Sequence, residues 1–451
     1  MLMKRFNHTP RHVTLVILML LVWKVNAQQA DSTKNEQFSI HAQTTVINQY
    51  KPSFSAKYSG LNSLSDQAED QTSVTSTIFA GARLWTGASI FMNPELGGGS
   101  GLSGALGVAA STNGETYRIG NPKPRISLAR IFYRQLFDLD DKEEYQESDQ
   151  NQLAGMTPKN YFGIIIGKIS LSDYFDDNKY SHDPRTQFMS WGLMNNGAWD
   201  YAANTIGYTP SILLEWVKDN EELRYDFSLV SEIANGMQMN WQINKANSNN
   251  LEYTHHYHIG KQQGAIRFLG YLNIAPMGNY EQAIKLSLST DPPIGFNGAN
   301  NALNVNGHTK YGFCLNIEQD INENLGCFFR AGWNDGHNES WEFTEIDRTA
   351  SVGISSTGSK WKRKDDNVGL AYVVSGLSAP HREYLKDGGM GFILGDGNLN
   401  YGLENLVEAY YSFALSKHLF LSGAYQFILN PGYNMDRGPV NVFSVRLHTS
   451  I

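Results

Sequence analysis

The side chains best equipped to recognise a polar solute are Arg83, Arg130, Arg134, Glu404 and Glu408, each on the polar side of an alternating segment. Arg130 and Arg134 are four residues apart, as are Glu404 and Glu408, so on a strand each pair shares one face. Charges of both signs facing water can orient a polar molecule by hydrogen bonding; nothing beside them is placed to break its bonds. The bond-making constellations each lack a part. His255-His256-Tyr257-His258 has metal-ligating residue types, but neighbours on a strand point to opposite faces and no Cys or carboxylate completes a tetrahedral set. Asp387-Gly388-Gly389 and Asp396-Gly397-Asn398 resemble calcium-loop residues without the closing Glu of an EF-hand. Gly389-Met390-Gly391 lacks the third glycine of a dinucleotide fingerprint, and no Gly-x-Ser-x-Gly elbow stands in an α/β setting. The expectation is a protein that is not an enzyme and uses no cofactor and no metal.

The elements that must position these charges are strands. From Leu403 to Leu415 the odd positions are Leu403, Asn405, Val407, Ala409, Tyr411, Phe413 and Leu415, whereas the even ones include Glu404, Glu408 and Ser412. The same period of two runs through Tyr311, Phe313, Leu315 and Ile317 against Lys310, Gly312, Asn316 and Glu318, and through Ile212, Leu214 and Trp216 against Ser211 and Glu215. It recurs with Val368, Leu370, Tyr372 and Val374, and with Phe443, Val445 and Leu447. Strict alternation means two different solvents on the two faces. Many of these runs reach about ten residues, enough for a tilted strand to cross a bilayer and longer than the usual globular strand. Short polar turns such as Lys218-Asp219-Asn220-Glu221 and Leu415-Ser416-Lys417 alternate with long segments rich in Gly, Asn, Asp and Ser at 49–72, 97–124, 173–207 and 379–402.

Composition agrees. The chain has 451 residues, of which 41% are apolar and 18% charged, with a mean hydropathy of −0.38. No apolar run outside the N-terminus is long enough for a membrane helix. The net charge of −8 excludes a protein that binds nucleic acid through its phosphates. Lys4, Arg5 and Arg11 precede an apolar stretch from Val13 to Trp23 and a small-residue site at Val25-Asn26-Ala27, the layout of a secretory signal peptide over residues 1–27. The remainder, 28–451, reads as one domain: an all-β transmembrane antiparallel barrel of about 16 strands, an even number with a water-filled lumen. Trp85, Trp216, Tyr225, Trp333, Tyr411 and Phe420 are candidates for the interfacial girdles. A soluble β-sandwich or propeller is the competing architecture, and no blade-length repeat supports it. Cys314 shares parity with the lumenal set and Cys327 with the lipid-facing set, so no disulfide is expected between them.

Three stretches carry a family resemblance. Glu404-Asn405-Leu406-Val407-Glu408-Ala409-Tyr410-Tyr411, followed by Tyr425-Gln426-Phe427-Ile428-Leu429-Asn430-Pro431-Gly432, resembles the closing hairpin of the carbohydrate-selective porins of the OprB type. Gly167-Lys168, Asp173-Tyr174-Phe175-Asp176 and the run from Gly197 to Pro210 resemble that family's strand followed by its Trp- and Asn-bearing loop. Gly97-Gly98-Gly99-Ser100-Gly101 is similar to its Gly-rich loop. The chain departs from the usual barrel pattern at its end, Leu447-His448-Thr449-Ser450-Ile451, where an aromatic read by the assembly machinery is common.

The resemblance implies passive uptake of carbohydrates across the outer membrane of a Gram-negative-type bacterium. The implied partners are sugar solutes, outer-membrane lipid and the barrel-assembly machinery. A non-selective diffusion porin and a structural or adhesive barrel would share the same lumen. A selective pore needs charges of both signs and hydrogen-bonding groups at a narrow point. The expected constriction sets Arg83, Arg130 and Arg134 against Glu408, with Glu404 nearby, and is narrowed by an infolded loop carrying Trp191, Trp199, Asp200 and Asn204. Barrel closure makes a monomer viable, while an apolar belt can also bury against a second copy, so monomer and homo-oligomer both stay open.

Overall fold

The computed structural model describes residues 35–116, 123–289, 302–304 and 307–451; the signal-peptide segment 1–27 lies outside them. The first barrel strands are β1 (Phe38–Lys51), β2 (Glu69–Trp85), β3 (Ala88–Gly99) and β4 (Arg125–Asp138). A small hairpin, β5 (Glu143–Gln146) and β6 (Gly155–Pro158), stands apart from the barrel sheet. The wall continues with β7 (Tyr161–Ile169), β8 (Thr209–Lys218), β9 (Glu221–Ser228), β10 (Asn247–Ile259), β11 (Gln262–Ala275) and β12 (His308–Asn322). It ends with β13 (Leu325–Asn334), β14 (Arg348–Gly358), β15 (Arg363–Gly376), β16 (Glu404–Ser416), β17 (Leu419–Leu429) and β18 (Val440–Ser450). These sixteen strands form one closed antiparallel barrel in which β1 pairs with both β2 and β18.

Closure follows from the alternation. Phe268, Phe313, Val352, Leu370 and Phe443 face outward and are exposed, whereas Lys310, Arg330, Glu408, Gln426 and Arg446 face inward and are buried. An open sheet would leave a row of unpaired backbone groups in lipid, where no water satisfies them; pairing Gln43–Tyr50 with Phe443–Ser450 removes that edge. Trp85 marks one rim of the barrel, and Tyr311, Phe313 and Trp333 stack at the other with ring centroids 5.7–6.3 Å apart. Phe420 departs from the girdle expectation. It shares the inward parity of Ser422, Gln426 and Ile428 on β17, pairs with Ala414 and lies 6.4 Å from the ring of His448.

Short turns and long loops segregate to opposite ends of the barrel, which by the usual rule are its periplasmic and external ends. The external loop 170–208 folds into the lumen, with Phe175, Phe188, Met189 and Trp199 all buried there. The described part of loop 100–124, residues 100–116, does the same, which alternation in the strands did not foretell: Asn113 donates to Ser73 of β2 at 3.0 Å and Gln49 of β1 donates to the Thr112 carbonyl at 3.0 Å. At the short-turn end the connection 139–160 is the exception, being long and carrying the β5–β6 hairpin.

The cysteines sit as their parity predicts. Cys314 is buried on the lumenal side and Cys327 lies on the outward side of β13, opposite Gln319, and both are free thiols. Alkylation of the unfolded, unreduced protein should therefore add two labels by mass; a product with none would overturn the register of β12 and β13.

Candidate functional site

The infolded loop 170–208 is anchored by one buried carboxylate. Asp176, at a backbone φ of 56°, accepts from Arg330 Nε at 3.1 Å, from Asn316 Nδ2 at 2.7 Å and from the Asn196 N–H at 2.6 Å. Arg330 spends its other donors on loop backbone, reaching the Leu193 carbonyl at 2.8 Å and the Asp176 carbonyl at 3.0 Å. A buried guanidinium is tolerated only when each of its donors is matched, and here the loop backbone supplies the matches.

The two glutamates read from sequence do related work. Glu408 accepts the Met189 and Ser190 N–H groups at 2.6 and 2.9 Å, and Gln426 donates to it at 3.0 Å. Glu404 accepts the N–H groups of Ala109, Ala110 and Gly432 at 3.0, 2.8 and 2.7 Å. Both carboxylates thus dock loop backbone. The arrangement expected from sequence, arginines opposed by Glu408, takes another form: Glu408 makes no ion pair with Arg83, Arg130 or Arg134 among the described residues, and its oxygens are taken by loop N–H groups and Gln426.

The loop's own candidates are buried within it. Trp199 donates through Nε1 to Asn250 of β10 at 2.9 Å, and Asp200 accepts the Trp341 and Glu342 N–H groups at 2.9 Å each. Asn204 closes a turn by accepting from the N–H groups of Ile206 and Tyr208 at 3.2 Å. Trp191 stacks on Phe343 with ring centroids 4.7 Å apart, and Tyr201 packs against both it and Trp199.

What lines the remaining lumen is a set of paired charges on β2–β4 and β7–β9. Arg130 grips Asp173 through two bonds of 2.6 Å each, and its guanidinium lies 5.0 Å from the centroid of the Tyr208 ring. Tyr208 and Thr77 both donate to Glu95, at 3.0 and 2.7 Å. Arg185, on loop 170–208, meets Glu115, on loop 100–124, at 3.1 Å, and Thr75 donates to the same carboxylate at 2.5 Å. Arg224 bridges Glu215 and Glu222 at 2.8 and 2.6 Å. Solvent reaches this set unevenly: the Asp173 side chain is 31% exposed and that of Arg185 21%, so these two pairs border open lumen. Burial pushes the Glu115 carboxyl above the usual range despite Arg185. For Asp183, also beside Arg185, burial is outweighed by the guanidinium and a backbone N–H, which hold its carboxyl low.

Of the predicted arginines, Arg130 joins this set, and Arg83 instead donates to the Glu36 and Ala154 carbonyls at 3.1 Å each. Arg134 faces the lumen with no hydrogen bond or ion pair among the described residues, and its Nε is buried. Sequence reasoning passed over Glu95, Glu115, Asp173, Arg185, Tyr208 and Arg224. Parity on β3 and β9 makes Glu95 and Arg224 legible as inward-facing; Glu115 and Arg185 sit in loops without periodicity, where no signal marks them. The histidines of 255–258 are strand residues, and two of the three pair with glutamates of β9, His255 with Glu221 and His256 with Glu222, at 2.8 Å each.

Comparison with known proteins adds to this geometry. The family model described as carbohydrate-selective porin, OprB family, matches residues 71–451. No curated protein sequence matches. Among solved structures, the high-pH form of Pseudomonas putida OprB is similar at a TM-score of 0.69 and 13% identity, covering 92% of this chain and 94% of that one. The outer-membrane channel DcaP of Acinetobacter baumannii is similar at a TM-score of 0.50 and 8% identity, over 94% of this chain and 99% of that one. At these identities both show likeness of fold.

Two outcomes follow from the geometry. Asp176→Ala leaves Arg330 buried without its carboxylate, a defect of about 3–5 kcal/mol for a broken buried pair. The infolded loop should loosen, and single-channel conductance and current noise should both rise while the barrel still migrates as a folded band; an unchanged trace would show that the loop is held by other contacts. As pH falls, Glu115 takes up a proton earlier than an exposed glutamate and Arg185 loses one of its opposing charges while Asp183 keeps its own. The reversal potential in a KCl gradient should then move toward chloride preference between pH 7 and 5, and Glu115→Gln should show that preference at both; a pH-independent potential would contradict it.

Proposed function

The chain belongs to the carbohydrate-selective porin family of the OprB type and is an outer-membrane channel; from that premise we propose which groups a passing sugar meets. The observation that carries the reading is the pair of half-open ion pairs, Arg130–Asp173 and Arg185–Glu115, set where two infolded loops approach one side of the wall. The members of these pairs that face water are Asp173 and Arg185, so sugar hydroxyls can donate to Asp173, beside Arg130, and accept from Arg185. Because each cation has its anion, the local field is small. A neutral polyol then finds donors and acceptors, while a bare ion gains less from either member of a pair. Weak, exchangeable contacts also suit transport, since a solute held tightly would block the channel.

In this reading Trp191, Trp199, Asp200, Asn204, Glu404 and Glu408 shape the constriction by holding the loops, and Arg130 positions the Asp173 carboxylate for solute. Residues 1–27 act as an export signal and 28–451 as a single barrel domain, supported by the residue pattern at the N-terminus and the one closed sheet. Insertion is the task of the barrel-assembly machinery. One chain encloses its own lumen, which supports one channel per copy whether the protein is a monomer or a homo-oligomer.

Liposome swelling tests the proposal with mono- and disaccharides against non-sugar solutes of matched size. Sugars should enter faster, and in planar bilayers Arg130→Ala should weaken block by saccharide at least about fivefold. Equal rates for matched sugars and non-sugars would instead identify a general diffusion pore, and unchanged block in Arg130→Ala would remove the Arg130–Asp173 pair from the solute path.

A further inference from the structure

The connection 139–160 does not stay at the periplasmic rim. Asn151 accepts from Asn93 Nδ2 at 2.8 Å, Gln150 donates to Gln43 at 3.1 Å, and Ser148 is 2.9 Å from His41 Nε2. Asn93 is the sixth of the twelve residues of β3, so this segment reaches the middle of the barrel from the side opposite the infolded loops. Between it and the wall of β2–β4 remains a cavity of about 550 Å³, a size that suits a small ligand.

The wall of that cavity carries a row of three inward side chains. Arg83 pairs in register with Ser89, and Ser89 with Arg134, so two arginines flank a serine across three adjacent strands. Strand spacing of about 4.8 Å puts the two arginine Cα atoms about 10 Å apart. Arg83 is held at the cavity wall by two backbone carbonyls; the nearby Glu36 carboxylate, bonded to Ser148 and the Ala154 N–H at 2.8 Å each, offsets part of its charge, so Arg134 is the main anion-binding group. Arg134 has no partner among the described residues, its Nε is buried, and its guanidinium lies 5.9 Å from the centroid of the Phe91 ring. Asp138 and Glu143 also line the cavity, but both are exposed residues, where solvent and salt screen them. A buried donor without an acceptor costs free energy that a bound oxyanion would recover, and a guanidinium fork matches a carboxylate with two parallel bonds.

We propose that this cavity is a second solute site, on the exit side, and that its occupant is an acidic monosaccharide whose carboxylate is gripped by Arg134 and steered by Arg83, with Ser89 bonded to a ring hydroxyl. The inference rests on the channel reading and extends it: the paired charges of the constriction admit the sugar, and the unpaired arginine beneath selects for its acid group. The segment 139–160 supplies the opposite wall, so the site exists only on the periplasmic side.

Single-channel recording of the full-length protein in planar bilayers tests this, with glucuronate, glucose or acetate added to one side at a time in 0.15 M KCl. Glucuronate on the periplasmic side should block at a concentration at least tenfold below that of glucose and of acetate, and tenfold below its own value from the external side. The advantage over glucose should shrink at least fivefold in 1 M KCl and vanish in Arg134→Gln, with part of it returning in Arg134→Lys; heat-modifiable migration confirms that each variant is folded. Equal block by acetate and glucuronate would overturn the sugar as occupant, and equal block from both sides, or an unchanged advantage in folded Arg134→Gln, would overturn the site. Sugar flux into liposomes, measured on the same preparation, separates the two readings: flux without asymmetric glucuronate block leaves the channel and removes the exit site, whereas asymmetric block without flux leaves the site and removes the channel reading.

Discussion

Everything inside this barrel depends on how loop backbone is satisfied once it leaves water. Sixteen strands enclose a lumen too wide for wall side chains to fill. Two external loops enter it, and each buried turn brings N–H and carbonyl groups that need partners. Charged side chains serve as backbone caps: Arg330 of the wall with Asp176 of the loop, Glu408 beneath Met189 and Ser190, and Glu404 beneath Ala109 and Ala110. A charge-assisted bond is shorter and stronger than a neutral one, so a few carboxylates can fix a long loop in one place. Replacing such a carboxylate is costly because it strands buried donors, not because the bond itself is worth much in net terms.

This use of charge divides the barrel. The anchoring groups, Asn250, Asn316, Arg330, Glu408 and Gln426, come from β10 to β17. Arg130, Glu215 and Arg224, which carry lumenal ion pairs, and Glu95, which accepts from the Tyr208 hydroxyl, come from β4, β8, β9 and β3. The loops nonetheless touch both halves: Asp173 and Tyr208 reach Arg130 and Glu95, and Asn113 and Glu115 bond to Ser73 and Thr75 of β2. The strands of the two halves look alike in sequence, each apolar outside and charged inside. What distinguishes them is that a charge such as Glu408 meets loop backbone, whereas Arg130 and Arg224 meet other side chains, Asp173 of the loop and Glu215 of the wall.

That distinction explains what the sequence made legible. Alternation located the strands, put Arg130 and Glu408 inside and Phe313 outside, and separated Cys314 from Cys327, because lipid and water impose opposite demands on successive residues. Parity reports a face and never a partner. Glu404 and Glu408 were therefore visible as inward charges while their engagement with loop backbone was not. Asp173 lay within a recognisable motif, yet its grip on Arg130 spans 43 residues that alternation cannot fold. Glu115 and Arg185 belong to loops whose path is fixed by the caps just described, so their meeting was out of reach of any local pattern. Phe420 shows the remaining limit: an aromatic at a strand end need not face lipid, and its even parity with Ser422 and Gln426 places it inward.

The ion pair between Arg185 and Glu115 carries the argument one step further, because its two members arrive on different infolded loops. Ser190 Oγ donates to the Ala110 carbonyl at 2.7 Å, and the Gly114 N–H donates to the Met189 carbonyl at 2.7 Å, so the loops are bonded to each other as well as to the wall. Glu404 holds one loop and Glu408, four residues along the same strand, holds the other. Neither loop can shift without unpairing a buried group of its neighbour, and in the low dielectric of a packed lumen an unpaired group is expensive. The two loops therefore move, if they move, as one body. The two loops are thus one bonded unit, anchored on β16 through Glu404 and Glu408.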